Sequence, residues 1–309
     1  MPVIGRSFGI LVESIIFATD FSPASKGAAI YASNLSVQFR TNLIVAHAFT
    51  LSQAALEAEV GSDKHRSSLQ RIELKILLTE TAHAFAAGRG KSEPVLLEGD
   101  PCKVIPVLAD EKAPALIILG THGGNTIDRH LLGSTSEGIL RHFNGPALTV
   151  GPQVKAALSD EFAFRRILYA TDCSLEAAHA APFAVAFAET FGAQIDVLNV
   201  VHSEQIEHPD RFHNLQQHFY GALDSIVPLQ AKRFCDPRTF VSVGEAENEI
   251  LKHIKERDID LLVLGLKRNA HLGMQNRTTG AFPIIVAAQC PVLTIADGPT
   301  YSGSYDLFP

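Results

Sequence analysis

Residues 115–134 read ALIILGTHGGNTIDRHLLGS. The apolar run Ala115–Leu119 ends at Gly120, another glycine stands at 123, and Gly133-Ser134 open the helical pattern STSEGILRHF. A short β-branched apolar run bounded by turn residues reads as a strand buried on both faces. A strand that leaves through glycine and returns as a helix is the repeating step of a parallel sheet. The glycines themselves admit two readings. They serve a sharp turn, or they let backbone amides approach a phosphate chain with no side chain in the way.

The surrounding chain repeats itself. IIFATDFS at 15–22 recurs as ILYATDCS at 167–174, 152 positions on, and at that offset 41–45 falls on 193–197. Later segments recur 145 positions on: ALIILG (115–120) over DLLVLG (260–265), and GPALTV (145–150) over CPVLTI (290–295). The second copy is therefore shorter by seven residues between those segments, in a polar helical region where a length change costs little. Strands are expected near 14–20, 42–49, 93–98, 115–120 and 146–150, and again near 166–172, 194–201, 239–243, 260–265 and 291–295. The charged, Leu- and Ala-rich stretch 54–87 reads as helix, with Gly61-Ser62-Asp63 interrupting it or starting a new one. Two α/β copies with doubly wound parallel sheets follow, and such sheets bind ligands beyond the carboxyl ends of their strands.

Composition narrows the function classes. The chain has 309 residues, 46% hydrophobic and 19% charged, which suits two globular units of about 150 residues. No apolar run reaches the roughly 18–20 residues of a membrane span, and the first twenty residues lack the pattern of a secretory signal. A net charge of −7 argues against a general nucleic-acid surface. The four cysteines, Cys102, Cys173, Cys235 and Cys290, are scattered and form no C-x-x-C pair, so free thiols in a reducing cytoplasm are expected. His202, His208, His213 and His218 lie in a polar segment at loose spacing, and surface histidines account for them better than a metal site does.

At the carboxyl edge of the first sheet, topology gathers Ala18-Thr19-Asp20, His47-Ala48-Phe49 and the loop 120–134. The start of the helix after Gly133 offers unpaired amides and the positive end of a dipole to an anion. The competing reading is a capping box, Ser134 as N-cap and Glu137 three residues on. Asp20 is similarly divided between accepting a hydrogen bond from a ligand and capping the helix around 22–35. In the second copy Arg268, Thr278 and Thr279 replace Gly123, Gly133 and Ser134, Phe282 replaces Glu137, and Pro283 follows.

The spacing G-x2-G-x9-G-[ST] of GTHGGNTIDRHLLGS, with IIFATDFS and GPALTV, resembles the universal stress protein family across both copies. The resemblance implies two tandem Rossmann-like domains of the adenine nucleotide alpha hydrolase-like type. Each would be a five-stranded parallel sheet of order 3-2-1-4-5 with helices on both faces, the two pairing through their final strands. The boundaries would be 1–152 and 162–297, with 298–309 a mobile tail. It further implies ATP, with or without Mg2+, held by Asp20, Ala48, Leu119, Gly120, Gly123, Gly133, Ser134 and Thr135 of the first domain.

Three function classes follow: an ATP-binding stress-response regulator in the cytoplasm, a slow ATPase or self-phosphorylating enzyme, or a ligand-independent dimeric scaffold. No dedicated general base, Mg2+-binding carboxylate pair or catalytic lysine stands in the loop, so no catalytic residue and no metal ligand are assigned. The partners expected are an adenine nucleotide, the second domain and a further copy of the chain, with neither nucleic acid nor membrane.

Overall fold

In the computed structural model, residues 12–23, 25–50, 62–86, 91–122, 131–154, 162–203, 217, 220–221, 235–266 and 280–296 are described. The first half runs β1 (Ser14–Ala18), α1 (Ser25–Phe39), β2 (Asn42–Phe49), α2 (Ser62–Ala86), β3 (Ser92–Glu98), α3 (Pro101–Glu111), β4 (Ala115–Gly120), α4 (Ser134–His142) and β5 (Pro146–Val150). The second half runs β6 (Arg166–Ala170), α5 (Leu175–Ala178), α6 (Ala181–Phe191), β7 (Gln194–Val201), β8 (Arg238–Val243), α7 (Ala246–Glu256), β9 (Leu261–Leu266), α8 (Ala281–Ala287) and β10 (Val292–Ala296).

All ten strands lie in one sheet of order β3-β2-β1-β4-β5-β10-β9-β6-β7-β8. Each half therefore has the order 3-2-1-4-5, with parallel pairing throughout. The halves join where β5 and β10 pair antiparallel, Leu148 opposite Leu293. Two side-chain bonds mirror each other across this seam: the Thr149 hydroxyl donates to the Val292 carbonyl at 3.2 Å and the Thr294 hydroxyl to the Ala147 carbonyl at 3.1 Å. Because the seam is antiparallel, the carboxyl edges of the two half-sheets point in opposite directions.

The central strands read as unbroken apolar runs because helices cover both sheet faces. Every residue of β1, β5 and β10 is buried. Side chains alternate between faces along each strand, so Ile15 and Phe17 enter one core and Ile16 the other. The first core lies under α1, α2 and α6 and runs through both halves; the second lies under α3, α4, α7 and α8 and does the same. Aromatic rings tie α1 to α6 across the seam: Phe39 meets Phe187 edge-on at 5.5 Å, and Phe164, 2% exposed, stands 5.0 Å from Phe191. Among the described residues no helix is long and apolar enough to cross a membrane.

The expected strands appear within two residues at each end. Strand one is shorter than 14–20, stopping at Ala18 and leaving Thr19 and Asp20 in the turn. Of the long helical stretch, α2 starts at Ser62, and 51–61 and the 298–309 tail lie outside the described residues.

Candidate functional site

The site at the first carboxyl edge begins with the turn Thr19–Ser22. The Thr19 amide donates to the Ala46 carbonyl at 3.0 Å, which carries β1 pairing one residue past the strand. Phe21 then takes a left-handed φ of 61°, strained for a residue with a bulky side chain. Two side chains stabilise the reversal: Thr19 Oγ1 accepts from the Phe21 amide and Asp20 Oδ1 from the Ser22 amide, both at 3.0 Å. The carboxylate therefore closes an Asx turn ahead of the helix. It is not the helix cap that the sequence allowed, because α1 begins three residues later, at Ser25, whose amide faces Ser22 Oγ at 3.4 Å. Asp20 remains exposed at the edge.

His47, on β2, secures the turn from the side. Its Nδ1 lies 2.7 Å from the Thr19 carbonyl, which can only accept, so the proton is on Nδ1. Its ring lies 4.7 Å from that of Phe21. Ala48 is half-buried next to it, opposite Leu97 of β3. The second half repeats this turn with smaller parts. Thr171 Oγ1 accepts from the Cys173 amide and Asp172 Oδ1 from the Ser174 amide, both at 3.0 Å, with Cys173 at φ 59°. Asn199 replaces His47 and donates to the Thr171 carbonyl at 2.9 Å.

The glycine loop leaves β4 beside this turn. Leu119 is buried between Ala18 and Thr149, and Gly120 lies opposite Val150. Two hydrogen bonds fasten the mouth of the loop. The Gly133 amide donates to the Thr121 carbonyl at 2.8 Å, and the Ser136 hydroxyl donates to the Gly120 carbonyl at 2.7 Å. Thr121 is 1% exposed and its hydroxyl pairs with His122 Nδ1 at 2.8 Å. Sequence placed His47 and Thr121 at this edge, within His47-Ala48-Phe49 and the loop 120–134, without naming the bonds that they and Ser136 make there. The repeat offset lays Asn199 over His47.

The capping-box expectation is corrected here. The N-cap of α4 is Gly133, with no side-chain cap, and Ser134 is the first helical residue. Its hydroxyl is therefore one position too late to cap, because the Gly133–Thr121 bond sets where the chain enters the helix. Glu137 turns elsewhere: it is buried and its Oε1 accepts from Arg141 Nε and Nη2, each at 2.9 Å. The Glu137 amide is the first of the helix to find an intrahelical acceptor, Gly133, at 2.9 Å. The amides of Ser134, Thr135 and Ser136 precede it and have no intrahelical partner.

Behind this turn α3 crosses α4 closely. Cys102 Sγ lies 3.8 Å from the Thr135 carbonyl, and a side chain on Gly138 would run into Cys102. Burial, then the neighbouring Asp100, push the Cys102 thiol up to about 11, so it is a packing group rather than a nucleophile.

Of the residues expected to form a site, Asp20, Ala48, Leu119, Gly120, Gly133, Ser134 and Thr135 are found along this one edge; Gly123 lies outside the described residues. In the second half Gly265 is the penultimate residue of β9, whereas Arg268, Thr278 and Thr279 lie outside the described residues. Pro283 falls in the first turn of α8, as expected.

Comparison with known proteins follows the same halves. The universal stress protein family model matches residues 12–151 and again 163–295. The universal stress protein MJ0531 of Methanocaldococcus jannaschii is 30% identical over 141 residues, covering 45% of this chain and 82% of that protein. The universal stress protein MJ0577 of the same organism is 24% identical over 156 residues, covering 46% of this chain and 96% of that protein. Among solved structures, a universal stress protein from Archaeoglobus fulgidus shares the fold with a TM-score of 0.71 at 18% identity, over 94% of this chain and all of that one. With two family matches that together span most of its length, the chain belongs to the universal stress protein family, whose domain it carries twice.

Proposed function

We propose that the first half binds ATP at this edge and that the bound nucleotide biases one conformation or assembly over another, making the chain a stress-response regulator. The observation that carries the reading is the start of α4. Its N-cap is a glycine without a side-chain cap, so the amides of Ser134, Thr135 and Ser136 and the positive end of the dipole have no side-chain cap to hold them, and the Glu137 carboxylate of the first turn is paired with Arg141. Asp20, exposed beside Ala48, supplies an acceptor for an adenine amino group or ribose hydroxyl, and Leu119, Gly120 and Gly123 give the backbone path. Gly133, Ser134 and Thr135 take the phosphates, with or without Mg2+. We read residues 1–152 as the binding domain, 162–297 as a domain that does not hold ATP in this way, and the cytoplasm as the location.

Calorimetric titration of the nucleotide-stripped chain with ATP, with and without Mg2+, tests this beside Gly133→Thr. Gly133 has φ −59°, so threonine fits the backbone there and its side chain alone is on trial. Binding at one site per chain, lost on substitution, is the expected result. Two equivalent sites, or binding that survives Gly133→Thr, would refute it.

A further inference from the structure

The first turn of α4 carries a charge that opposes the ligand read there. Glu137 is buried and stands one turn below the helix start, its amide on the Gly133 carbonyl at 2.9 Å. A carboxylate in the first turn is itself an anion that the helix dipole favours, so it competes with phosphate for the same end.

Arg141 answers that charge. From one turn further along α4, its Nε and Nη2 both donate to Glu137 Oε1 at 2.9 Å. Arg141 is exposed, and a long side chain gives up rotamer freedom to stay in such a pair, which makes i, i+4 pairs weak on their own. The second half supplies the support. Arg141 Cζ lies 5.0 Å from the ring centroid of Phe282, in the first turn of α8. A planar guanidinium over an aromatic face is a favourable contact, and Phe282 is itself packed against the second core, which fixes its ring.

The repeat sets this contact apart from ordinary packing between the halves. At the offset of 145, Phe282 stands where Glu137 does and Val286 where Arg141 does, so the second half has neither member of the pair. The residue in place of the carboxylate lies on the arginine that pairs with that carboxylate in the other half.

We propose that Phe282 is a positioning residue for the nucleotide edge: it holds Arg141 on Glu137, and through that pair the second half sets the affinity of the first for a nucleoside triphosphate. This role rests on ATP being bound at the start of α4, and it gives the second half a part in that binding.

Calorimetric titration of full-length variants with ATP tests it, with thermal unfolding to confirm that each is folded. Phe282→Leu keeps an apolar side chain against the core and removes the ring face, and should weaken binding about threefold. Phe282→Tyr keeps the face and should recover most of that loss. Arg141→Met removes the counter-charge outright and should weaken binding about tenfold. The deciding readout is Phe282→Leu in a Glu137→Gln background. With no carboxylate left to neutralise, losing the ring should change ATP affinity by less than about 1.5-fold, which a merely structural role for Phe282 does not produce. Equal affinity of wild type and Phe282→Leu would overturn the coupling and leave the nucleotide reading standing. So would a loss that persists undiminished with Glu137→Gln. Wild type that binds no ATP would instead overturn the nucleotide reading, and the role of Phe282 with it.

Discussion

Asp196 shows how far the two halves have diverged at single positions. It is 2% exposed, and its Oδ2 lies 3.0 Å from both His253 Nε2 and Arg257 Nε, with Phe240 packed against both partners. At the equivalent places of the first half stand Ile44, Leu108, Lys112 and Val95, so a carboxylate network has replaced aliphatic packing. Burial alone pushes the Asp196 carboxyl up, but the hydrogen bonds and charges of His253 and Arg257 outweigh it and leave it lowered. A carboxyl lowered on folding adds stability above its unfolded value of about 3.9, and that stability is lost as pH falls through the folded value. Asp196→Asn should therefore cost about 2–3 kcal/mol at neutral pH, since it leaves a partly buried arginine without its counter-charge. The gap from wild type should narrow as pH drops below about 4 toward the lowered folded value (urea unfolding at pH 7 and at about pH 3.5 measures both). A gap of equal size at both pH values would show that the charge of Asp196 is not what stabilises the fold.

The crossing of α3 and α4 illustrates two opposed effects in one substitution. Gly138→Ala in a helix interior should gain about 1 kcal/mol from propensity alone. Here the new methyl would overlap Cys102 Sγ and come within 2.9 Å of its Cβ, so the helices must part. Overpacking of that kind typically costs about 1–3 kcal/mol, and a net loss of about 1–2 kcal/mol is expected. Cys102→Ala in the same chain removes the sulfur but not the Cβ, so rescue should be partial. Thermal unfolding of the single and double variants distinguishes this from a propensity effect, under which Gly138→Ala would be more stable than wild type. How α4 starts also marks the limit of reading elements from sequence. The recurrence of Ala-Thr-Asp was legible in both copies, but the turn it makes was not: the strands were expected to run on to 20 and 172, and they stop at Ala18 and Ala170 because Thr and Asp side chains accept the next amides. Nor was the entry to α4, since a tertiary bond from Gly133 to Thr121 moved the N-cap one residue and left Ser134 without the capping role its neighbours suggested. Asp100, which does cap α3 by accepting the Cys102 amide at 3.0 Å, makes the contrast: its cap is local and needs no distant partner.

At the scale of the molecule, the repeat in the sequence became a continuous sheet with two cores that ignore the boundary between halves. The alternation of apolar runs and helical patterns was sufficient to place the strands. The joining of the halves was not visible in that alternation; the family resemblance implied it, pairing the domains through their final strands, and β5 and β10 do pair. Continuity makes a prediction about cooperativity. Phe164 belongs to the connector, yet it packs against Tyr31 of α1 and Phe187 and Phe191 of α6. Its truncation should leave a cavity between the halves, and Phe164→Ala should cost about 3–5 kcal/mol. If the shared cores couple the halves, that loss lowers the stability of both, not of the second alone. Hydrogen exchange by mass spectrometry on peptides from β1 and β6 reads each half separately. In wild type both should exchange through one global opening, and in Phe164→Ala both should speed up together. Acceleration confined to β6 would mean that the halves unfold independently, and that the ten strands are one sheet in geometry but two in free energy.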